Sequence, residues 1–170
     1  MLASADFRSL ESDAVLSARL LPHLFIFSAL TLALSVPTLA AKTGSPEEKV
    51  VLIPLQALLD GLAKRDRAAM TAQLLPGGSA TLMRKGKPVQ LGFDAFVERL
   101  SAPGTDTREE RINNPLIRID NNIAIIWTRF VFLLNGKVDH CGTDIVNLVK
   151  VDGQWLISSI GDTSRTDCAK

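Results

Sequence analysis

"NIAIIWTRFVFLLNGKVDHCGTDIVNLVKV", residues 122–151, contains two long apolar runs joined by Asn135-Gly136. Within each run the apolar residues favour a period of two, which is the period of a β-strand. Asn-Gly between two such runs is the strongest short-range signal for a two-residue hairpin turn. The stretch therefore predicts a pair of long antiparallel strands, and what lies on either side of it decides the fold class.

Further strands are predicted on both sides of this hairpin. "REERINNPLIRI", residues 108–119, ends at Asp120-Asn121-Asn122, and "QWLISSIGDTS", residues 154–164, follows Asp152-Gly153. Asn, Asp and Gly favour tight turns because they tolerate the left-handed backbone region. From residue 107 onward we expect an antiparallel meander, in which "TREER", residues 107–111, most simply forms a solvated strand face.

The residues before the meander repeat at helical spacing. Ser45 can cap a helix, Pro46 suits its first position, and Glu48 completes a capping box. Pro54 predicts a kink or a later start. The apolar stripe of this first helix consists of residues at i, i+3, i+4 and i+7, namely Leu55, Leu58, Leu59 and Leu62.

Two more helices and a strand pair are predicted before the meander. Asp66 can cap a second short helix, residues 67–75, which should end at Pro76-Gly77-Gly78. Residues 80–91 predict two short strands around Lys85-Gly86-Lys87. The chain is therefore expected to be α+β, with three N-terminal helices packed on a mostly antiparallel sheet. The third helix is predicted from Phe93, Phe96, Val97 and Leu100.

The second long strand is apolar on both faces. Trp127, Val131 and Leu133 share one face with Arg129, whereas an antiparallel sheet with one wet face should alternate apolar and polar residues. We expect one face to meet the helices and the other to meet a second subunit, with burial by the domain's own tail as the alternative. The opposite face carries Ile126, Phe130, Phe132 and Leu134.

An unbroken apolar run near the N-terminus indicates a targeting segment. The run, residues 24–36, follows Arg19 and precedes small residues up to Ala40 and Ala41. It is too short to span a bilayer comfortably, and this arrangement is typical of a secretory signal. We expect cleavage after Ala40 or Ala41 and a periplasmic or secreted protein whose only membrane contact is this segment. An uncleaved membrane anchor or a buried core helix is the alternative.

The chain then divides into an N-terminal extension with the signal, residues 1–41, a linker, residues 42–46, the folded domain, residues 47–165, and a tail, residues 166–170. The 170 residues carry a formal net charge of +1 and no long basic run, so nucleic-acid binding has little support. Zinc sites need three or four ligands, and one of the two histidines, His23, falls in the signal. We therefore expect neither a metal nor a cofactor.

The order of elements resembles the nuclear transport factor 2-like superfamily, in particular its SnoaL-like and "putative lumazine-binding" bacterial branches. The motifs that carry the resemblance are "LLDGLAKRD" at 58–66, "IIWTRFVFLLNGK" at 125–137, "HCGTDIVNLVK" at 140–150 and "DGQWLISSIGD" at 152–162. The resemblance implies a cone-shaped half-barrel with a pocket for a small apolar or aromatic molecule. It also implies a homodimer through the convex sheet face.

The stretch around the second histidine contains the main candidates for a site. On a strand, His140 and Asp144 point to one face on either side of Gly142, while Cys141 points to the other. His140 and Asp144 are four residues apart, which on a strand is about 13 Å and too far for a direct hydrogen bond between their side chains. Gly142 leaves room for a ligand or another backbone. His140 and Asp144 could act as acid–base and orienting groups, or could be satisfied by backbone and solvent.

An exported chain with two cysteines invites a disulfide. Cys141 faces away from His140, which counts against a Cys-His catalytic pair. A bridge from Cys141 to Cys168 would fix the tail to the strand. We hypothesise this pairing.

Three other residues are candidates for the pocket. Trp127 is either core or a stacking platform, and Asp162 is placed to lie at the cavity mouth as a possible catalytic group. Arg129 could bind an anionic or carbonyl group if it faces the cone, or could pair with Asp144 or Glu110 on a neighbouring strand.

Three functions remain open. The favoured one is an exported, dimeric small-molecule-binding protein without chemistry of its own. The second is a cofactor-free isomerase, dehydratase or cyclase using His140 with Asp144 or Asp162. The chain contains no tyrosine, so the tyrosine of a ketosteroid isomerase-like oxyanion hole would need a substitute. The third is a protein-interaction module. An enclosed cavity with His140 and Asp144 inside would favour a ligand, and a filled one would favour interaction.

Overall fold

A computed structural model describes residues 44–168 of the chain. The predicted signal and its cleavage site, residues 1–41, lie outside the described residues, so they stay predictions. The described part contains three helices and six strands: α1 Pro46–Lys64, α2 Arg67–Thr71, β1 Leu74–Arg84, β2 Lys87–Gly92, α3 Phe93–Leu100, β3 Arg108–Asp120, β4 Ile123–Leu134, β5 Lys137–Val151 and β6 Gln154–Asp162.

Helix α1 begins with the predicted capping box. The Ser45 hydroxyl accepts from the Glu48 N–H at 3.1 Å, and the Glu48 carboxylate accepts from the Ser45 N–H at 2.8 Å. The helix then continues through Pro54 to Lys64, so the predicted late start is wrong. Pro54 removes one helical hydrogen bond, but it is buried with its neighbour Leu55. The packing of this helix face on the sheet therefore outweighs the cost of the hydrogen bond that Pro54 removes.

Helix α2 is shorter than its sequence predicts. It ends at Thr71, and Leu74 already belongs to β1, where it pairs with Ile157 of β6. Pro76-Gly77-Gly78 does not end a helix but forms an irregularity within β1, between Leu74 and Ser79. A Cβ at Gly78 would lie 2.6 Å from the Ser158 carbonyl, so glycine allows two backbones to approach there. Long-range pairing thus overrides local helical spacing.

The predicted hairpin turns are confirmed. Asn135 and Gly136 have φ values of 52° and 73°, and Asp152 and Gly153 have values of 50° and 83°. Two successive positive φ values define the turn that matches the right-handed twist of the strands. The same geometry occurs at Lys85-Gly86, with values of 52° and 75°.

The six strands form one open sheet in the order β2-β1-β6-β5-β4-β3. All pairs are antiparallel except β1–β6, which is parallel. The three helices pack on one face, which we call the inner face, and the core lies between them. This arrangement confirms the α+β fold with a mostly antiparallel sheet. The core is formed by side chains such as Val51, Leu58, Met70, Phe93, Val97, Ile126, Val146, Leu148 and Ile157.

The opposite face of the sheet, which we call the outer face, is apolar and exposed in the described part of the chain. Trp127 is 40% exposed and Ile145 on the neighbouring strand is 42% exposed. No helix among the described elements covers these positions. The doubly apolar character of β4 is therefore real, and the outer face is open to a partner. Other exposed apolar side chains there are Leu116, Ile123 and Ile125.

Candidate functional site

A cavity of about 200 Å³ lies between the helices and the inner face of the sheet. Its helical wall is apolar apart from Arg99, and its sheet wall carries a group of ionisable side chains. The lining comprises Leu55, Leu58, Leu59 and Leu62 of α1, Phe96, Arg99 and Leu100 of α3, and Leu82, Arg84, Glu110, Phe132, His140, Asp144, Val146, Ile160 and Asp162 of the sheet.

One pair in the sheet wall is a bidentate ion pair between β1 and β6. Two nitrogens of Arg84 contact the two carboxylate oxygens of Asp162, each at 2.7 Å. The Met83 N–H also donates to Asp162 at 2.9 Å. The parallel register, which aligns Leu82 with Asp162, brings these groups together. Asp162 therefore lies among the residues that line the cavity, and its oxygens are already engaged.

Asp144 lies beside this pair. Strand register places it directly opposite Asp162 on β6 and opposite Thr128 on β4. Only 5% of Asp144 is exposed, and it shares a side-chain hydrogen bond with Glu110, which reaches across from β3. Three carboxyl groups and one guanidinium therefore share one end of the cavity.

Burial keeps one of these carboxyl groups neutral. Desolvation raises the pKa of Asp144 to about 9, and the charges of Glu110 and Asp162 act in the same direction. Desolvation also raises the pKa of Glu110 to about 7, with the charge of Asp162 adding to the effect and the hydrogen bond to Asp144 opposing it. Near neutral pH, Asp144 is thus a protonated acid that can donate a hydrogen bond.

His140 lines the same cavity without contacting Asp144. Its Nδ1 lies 2.8 Å from Asp139, and its ring stacks on Phe132 at a centroid distance of 4.8 Å. Asp139 is the extra residue where the register shifts, because Phe132 pairs with His140 whereas Leu133 pairs with Val138. The acid that orients the imidazole is therefore its sequence neighbour, made available by a β-bulge.

Between His140 and Asp144, the space above Gly142 is occupied by backbone. A Cβ at Gly142 would lie 1.9 Å from the Thr163 carbonyl oxygen and 2.7 Å from a Phe130 ring carbon. Of the two occupants predicted for this gap, a ligand or another backbone, the structure supplies the backbone.

The predicted disulfide is present. Cys141 and Cys168 are bridged, with their Cα atoms 5.7 Å apart. Cys141 is only 4% exposed, and the tail pairs with it through Arg165, whose N–H donates to the Cys141 carbonyl at 2.9 Å. The tail is therefore fixed to β5 by both covalent and hydrogen bonds.

Trp127 and Arg129 lie on the outer face, which corrects their assignment to the pocket. Alternation along β4 turns Ile126 and Thr128 inward, so their neighbours Trp127 and Arg129 must point outward. Arg129 is exposed, and no ion pair joins it to Asp144 or Glu110 within the described residues. Neither side chain lines the cavity.

Sequence reasoning missed Glu110 and Arg84. Residues 107–111 were expected to form a solvated face, and Glu109 and Arg111 do form an exposed ion pair. Glu110 alternates with them and lies in register with Phe132, which turns it into the cavity. The available signal was the spacing of Glu110 and Ile112, because residues two apart on a strand share a face and Ile112 packs against the core. For Arg84, no local signal exists, because its partner Asp162 is 78 residues away.

The cavity can bind an apolar molecule, donate a hydrogen bond to it and place acid–base groups beside it. Two carboxyl groups with raised pKa values, a carboxyl group paired with Arg84 and an imidazole face one partly open, mostly apolar cavity. Within residues 44–168, no set of three His, Cys, Asp or Glu side chains is placed to hold a metal ion. Over the same residues, no helix is long and apolar enough to cross a membrane.

Residues 46–159 match the model of a family described as "Putative lumazine-binding". The chain belongs to this family. The resemblance drawn from the sequence motifs is thereby confirmed. No curated protein sequence matches the chain.

Solved structures place this lumazine-binding-family chain in the nuclear transport factor 2-like fold. A Silicibacter pomeroyi protein of unknown function with this fold has a TM-score of 0.59 and 16% identity, covering 72% of this chain and 99% of its own. A Nostoc punctiforme protein with a cystatin-like fold has a TM-score of 0.61 and 11% identity, covering 75% and 97%. A "Putative Scytalone Dehydratase" from Novosphingobium aromaticivorans has a TM-score of 0.59 and 15% identity, covering 71% and 85%. At these identities the likeness establishes the fold alone.

Proposed function

We propose that this chain is an exported protein that binds a small, largely apolar molecule carrying a hydrogen-bond acceptor such as a carbonyl group. The observation that carries the proposal is the pair of buried carboxyl groups, Asp144 and Glu110, in the wall of an otherwise mostly apolar cavity. Pockets of this kind use apolar walls for affinity and a few polar groups for orientation. A neutral carboxyl has one O–H, and that of Asp144 is donated to Glu110. Because the pKa of Glu110 is raised to about 7, Glu110 also carries a proton at pH 6, and this second O–H favours an acceptor on the ligand.

The size of the cavity fits one ring system. A dry apolar cavity of about 150 Å³ holds a benzene molecule. The cavity of about 200 Å³ therefore has room for a single ring with a short substituent or a compact bicycle. The family description names lumazine, a flat heterocycle with carbonyl groups, which agrees with this ligand class.

The proposal includes export and dimerisation. The apolar run at residues 24–36 and the Cys141–Cys168 bridge support export, because disulfides persist mainly in oxidising compartments. The exposed outer face, with Trp127 and Ile145 near its middle, supports a homodimer, since contiguous apolar surface of this kind favours association.

Native mass spectrometry of the purified protein tests the assembly and detects any ligand that copurifies. The ligand class is tested with two matched probes, acetophenone and ethylbenzene, titrated by NMR at pH 6. We expect acetophenone to bind more tightly by about tenfold, because a buried neutral hydrogen bond contributes about 1 kcal/mol or more.

The variant Asp144→Asn and the double variant Asp144→Leu with Glu110→Leu complete this test. Asn still donates to Glu110 and leaves the second donor in place, so it should keep the preference for acetophenone, whereas the double variant has neither carboxyl and should abolish it. Equal binding of both probes to the unmodified protein, or no binding of either, would contradict the proposed ligand class.

A second candidate function is a cofactor-free isomerase, dehydratase or cyclase. The observation in its favour is that Glu110 and His140 face the same cavity as the protonated Asp144. A base and a neutral acid could remove a proton next to a carbonyl and stabilise the enolate. The test is exchange of the acetophenone methyl protons in D₂O, followed by NMR. Acceleration that Glu110→Gln or His140→Ala removes would support chemistry, and a rate equal to that of buffer would contradict it.

A further inference from the structure

The residues after β6 do not leave the domain but fold back along β5. The Thr163 N–H donates to the Thr143 carbonyl at 3.0 Å, and the Thr143 N–H donates to the Thr163 hydroxyl at 3.0 Å. Cys141 and Arg165 exchange two backbone hydrogen bonds of 3.0 and 2.9 Å. We call residues 163–168 the C-terminal strap.

The strap lies beside the cavity wall, although none of its residues lines the cavity itself. Gly142 lies between His140 and Asp144 on the inner face, and both of those side chains line the cavity. The Thr163 carbonyl takes the place that a side chain at Gly142 would fill, against the ring of Phe130. The strap therefore covers the position of β5 that has no side chain, between the two polar residues that face the cavity.

Apart from the disulfide, the four hydrogen bonds given above hold the strap to β5, and none of residues 163–167 is apolar. Thr163 and Arg165 are exposed, and the strap has one isolated bridge to β5 in place of a continuous ladder. Segments with few buried apolar contacts open locally at low free-energy cost. The disulfide is thus the main restraint on the last residues of the strap.

The two sulfurs differ in accessibility. Cys141 is buried, whereas Cys168 is partly exposed near the end of the described chain. Thiol–disulfide exchange requires a thiolate to approach one sulfur directly. An external dithiol would therefore attack Cys168 and release the Cys141 thiolate first.

We propose that residues 163–168 form a redox-controlled strap, which closes the cavity wall beside Asp144 and His140 when Cys141 and Cys168 are bridged and opens it when they are reduced. A dithiol supplies the two electrons and two protons: it leaves as its own disulfide, and Cys141 and Cys168 become thiols. Closure itself stands on the contacts of the strap, whereas its effect on a ligand rests on the proposed binding function.

Hydrogen exchange measured by mass spectrometry tests the opening without any ligand. On reduction with dithiothreitol, the amides of Cys141, Thr143, Thr163 and Arg165 should exchange faster by about tenfold or more. Peptides from the β3–β4 ladder, which exchange through global unfolding, should remain protected at times when the strap peptides have exchanged fully. Cys168→Ser should show the open pattern without reductant. Protection that is equal in oxidised and reduced protein would overturn the proposal, as would loss of protection throughout the sheet.

The effect on the cavity is measured separately with acetophenone. Its dissociation rate, from NMR line shapes, should rise severalfold in reduced protein and in Cys168→Ser. If exchange shows the opening but acetophenone never binds, the binding function fails while the strap stands. If acetophenone binds with the same rates in both redox states, the strap does not control access and the proposal is wrong.

Discussion

Replacing Asp144 with Asn should change how the stability of this protein depends on pH. Burial holds the pKa of Asp144 at about 9 in the folded chain, against 3.8 for an unperturbed aspartate. Between these two values the folded chain keeps a proton that the unfolded chain has released. Because the folded state binds more protons there, the free energy of unfolding must fall as pH rises.

The magnitude follows from the number of protons. One extra proton in the folded state gives a slope of about 1.4 kcal/mol per pH unit. At pH 7 the accumulated cost at Asp144 is about 4 kcal/mol, because pH 7 lies about three units above 3.8. Asn cannot release a proton, and its amide can donate to Glu110 as the neutral carboxyl does. The variant should therefore gain stability over the parent, from near zero at pH 4 to as much as about 4 kcal/mol at pH 7.

Urea unfolding at pH 4, 5, 6 and 7, followed by the fluorescence of the two tryptophans, measures this difference. The other ionisable groups that face the cavity are present in both proteins, so their contributions largely cancel. Asp152→Asn makes the same chemical change at an exposed turn and should leave the profile unaltered. If the stabilities of Asp144→Asn and the parent differ by a constant amount from pH 4 to pH 7, Asp144 is ionised in the folded protein and the reasoning fails.

Three further predictions concern the tail, the glycine and the outer face. Cys168→Ser should lower the free energy of unfolding by about 3–4 kcal/mol, because the bridge closes a loop of about 27 residues; urea unfolding without reductant checks this, and an unchanged midpoint would contradict it. Gly142→Ala should cost about 1–3 kcal/mol by the same measurement, since its Cβ would meet the Thr163 carbonyl, whereas Gly161→Ala, where a Cβ meets nothing within 4 Å, should cost less. Trp127→Arg should convert the proposed dimer to monomer in sedimentation velocity; a dimer of unchanged affinity would exclude the outer face as the interface.

Elements set by local chemistry could be predicted from the sequence. The Asn135-Gly136 and Asp152-Gly153 turns require two residues that tolerate positive φ, and both pairs supply them. The capping box at Ser45 is equally local. That His140 and Asp144 share one face of β5 followed from strand alternation, which needs only one strand assignment.

Features set by distant contacts could not be predicted in this way. Leu74 shows helical spacing but becomes part of a strand, because β6 offers it a pairing partner far along the chain. The bulge that brings Asp139 to His140 breaks the alternation that a sequence argument assumes. Alternation along β3 could have placed Glu110 on the inner face, but its hydrogen bond with Asp144 spans β4 and so depends on the order of the strands in the sheet. The grouping of ionisable side chains at one end of the cavity therefore depends on contacts between residues that are distant in sequence.

The parallel pairing of β1 with β6 has a consequence for how the chain acquires its structure. Strand β1 precedes α3, yet its neighbour in the sheet is the last strand, and Arg84 and Asp162 are 78 residues apart in sequence. Contacts of such high sequence separation slow folding, because a long loop must close before they form. The hairpin of β1 and β2 can therefore join the rest of the sheet only after β6 has left the ribosome. For the export that we propose, this delay would keep the sheet incomplete during synthesis and so leave the chain able to cross the membrane unfolded.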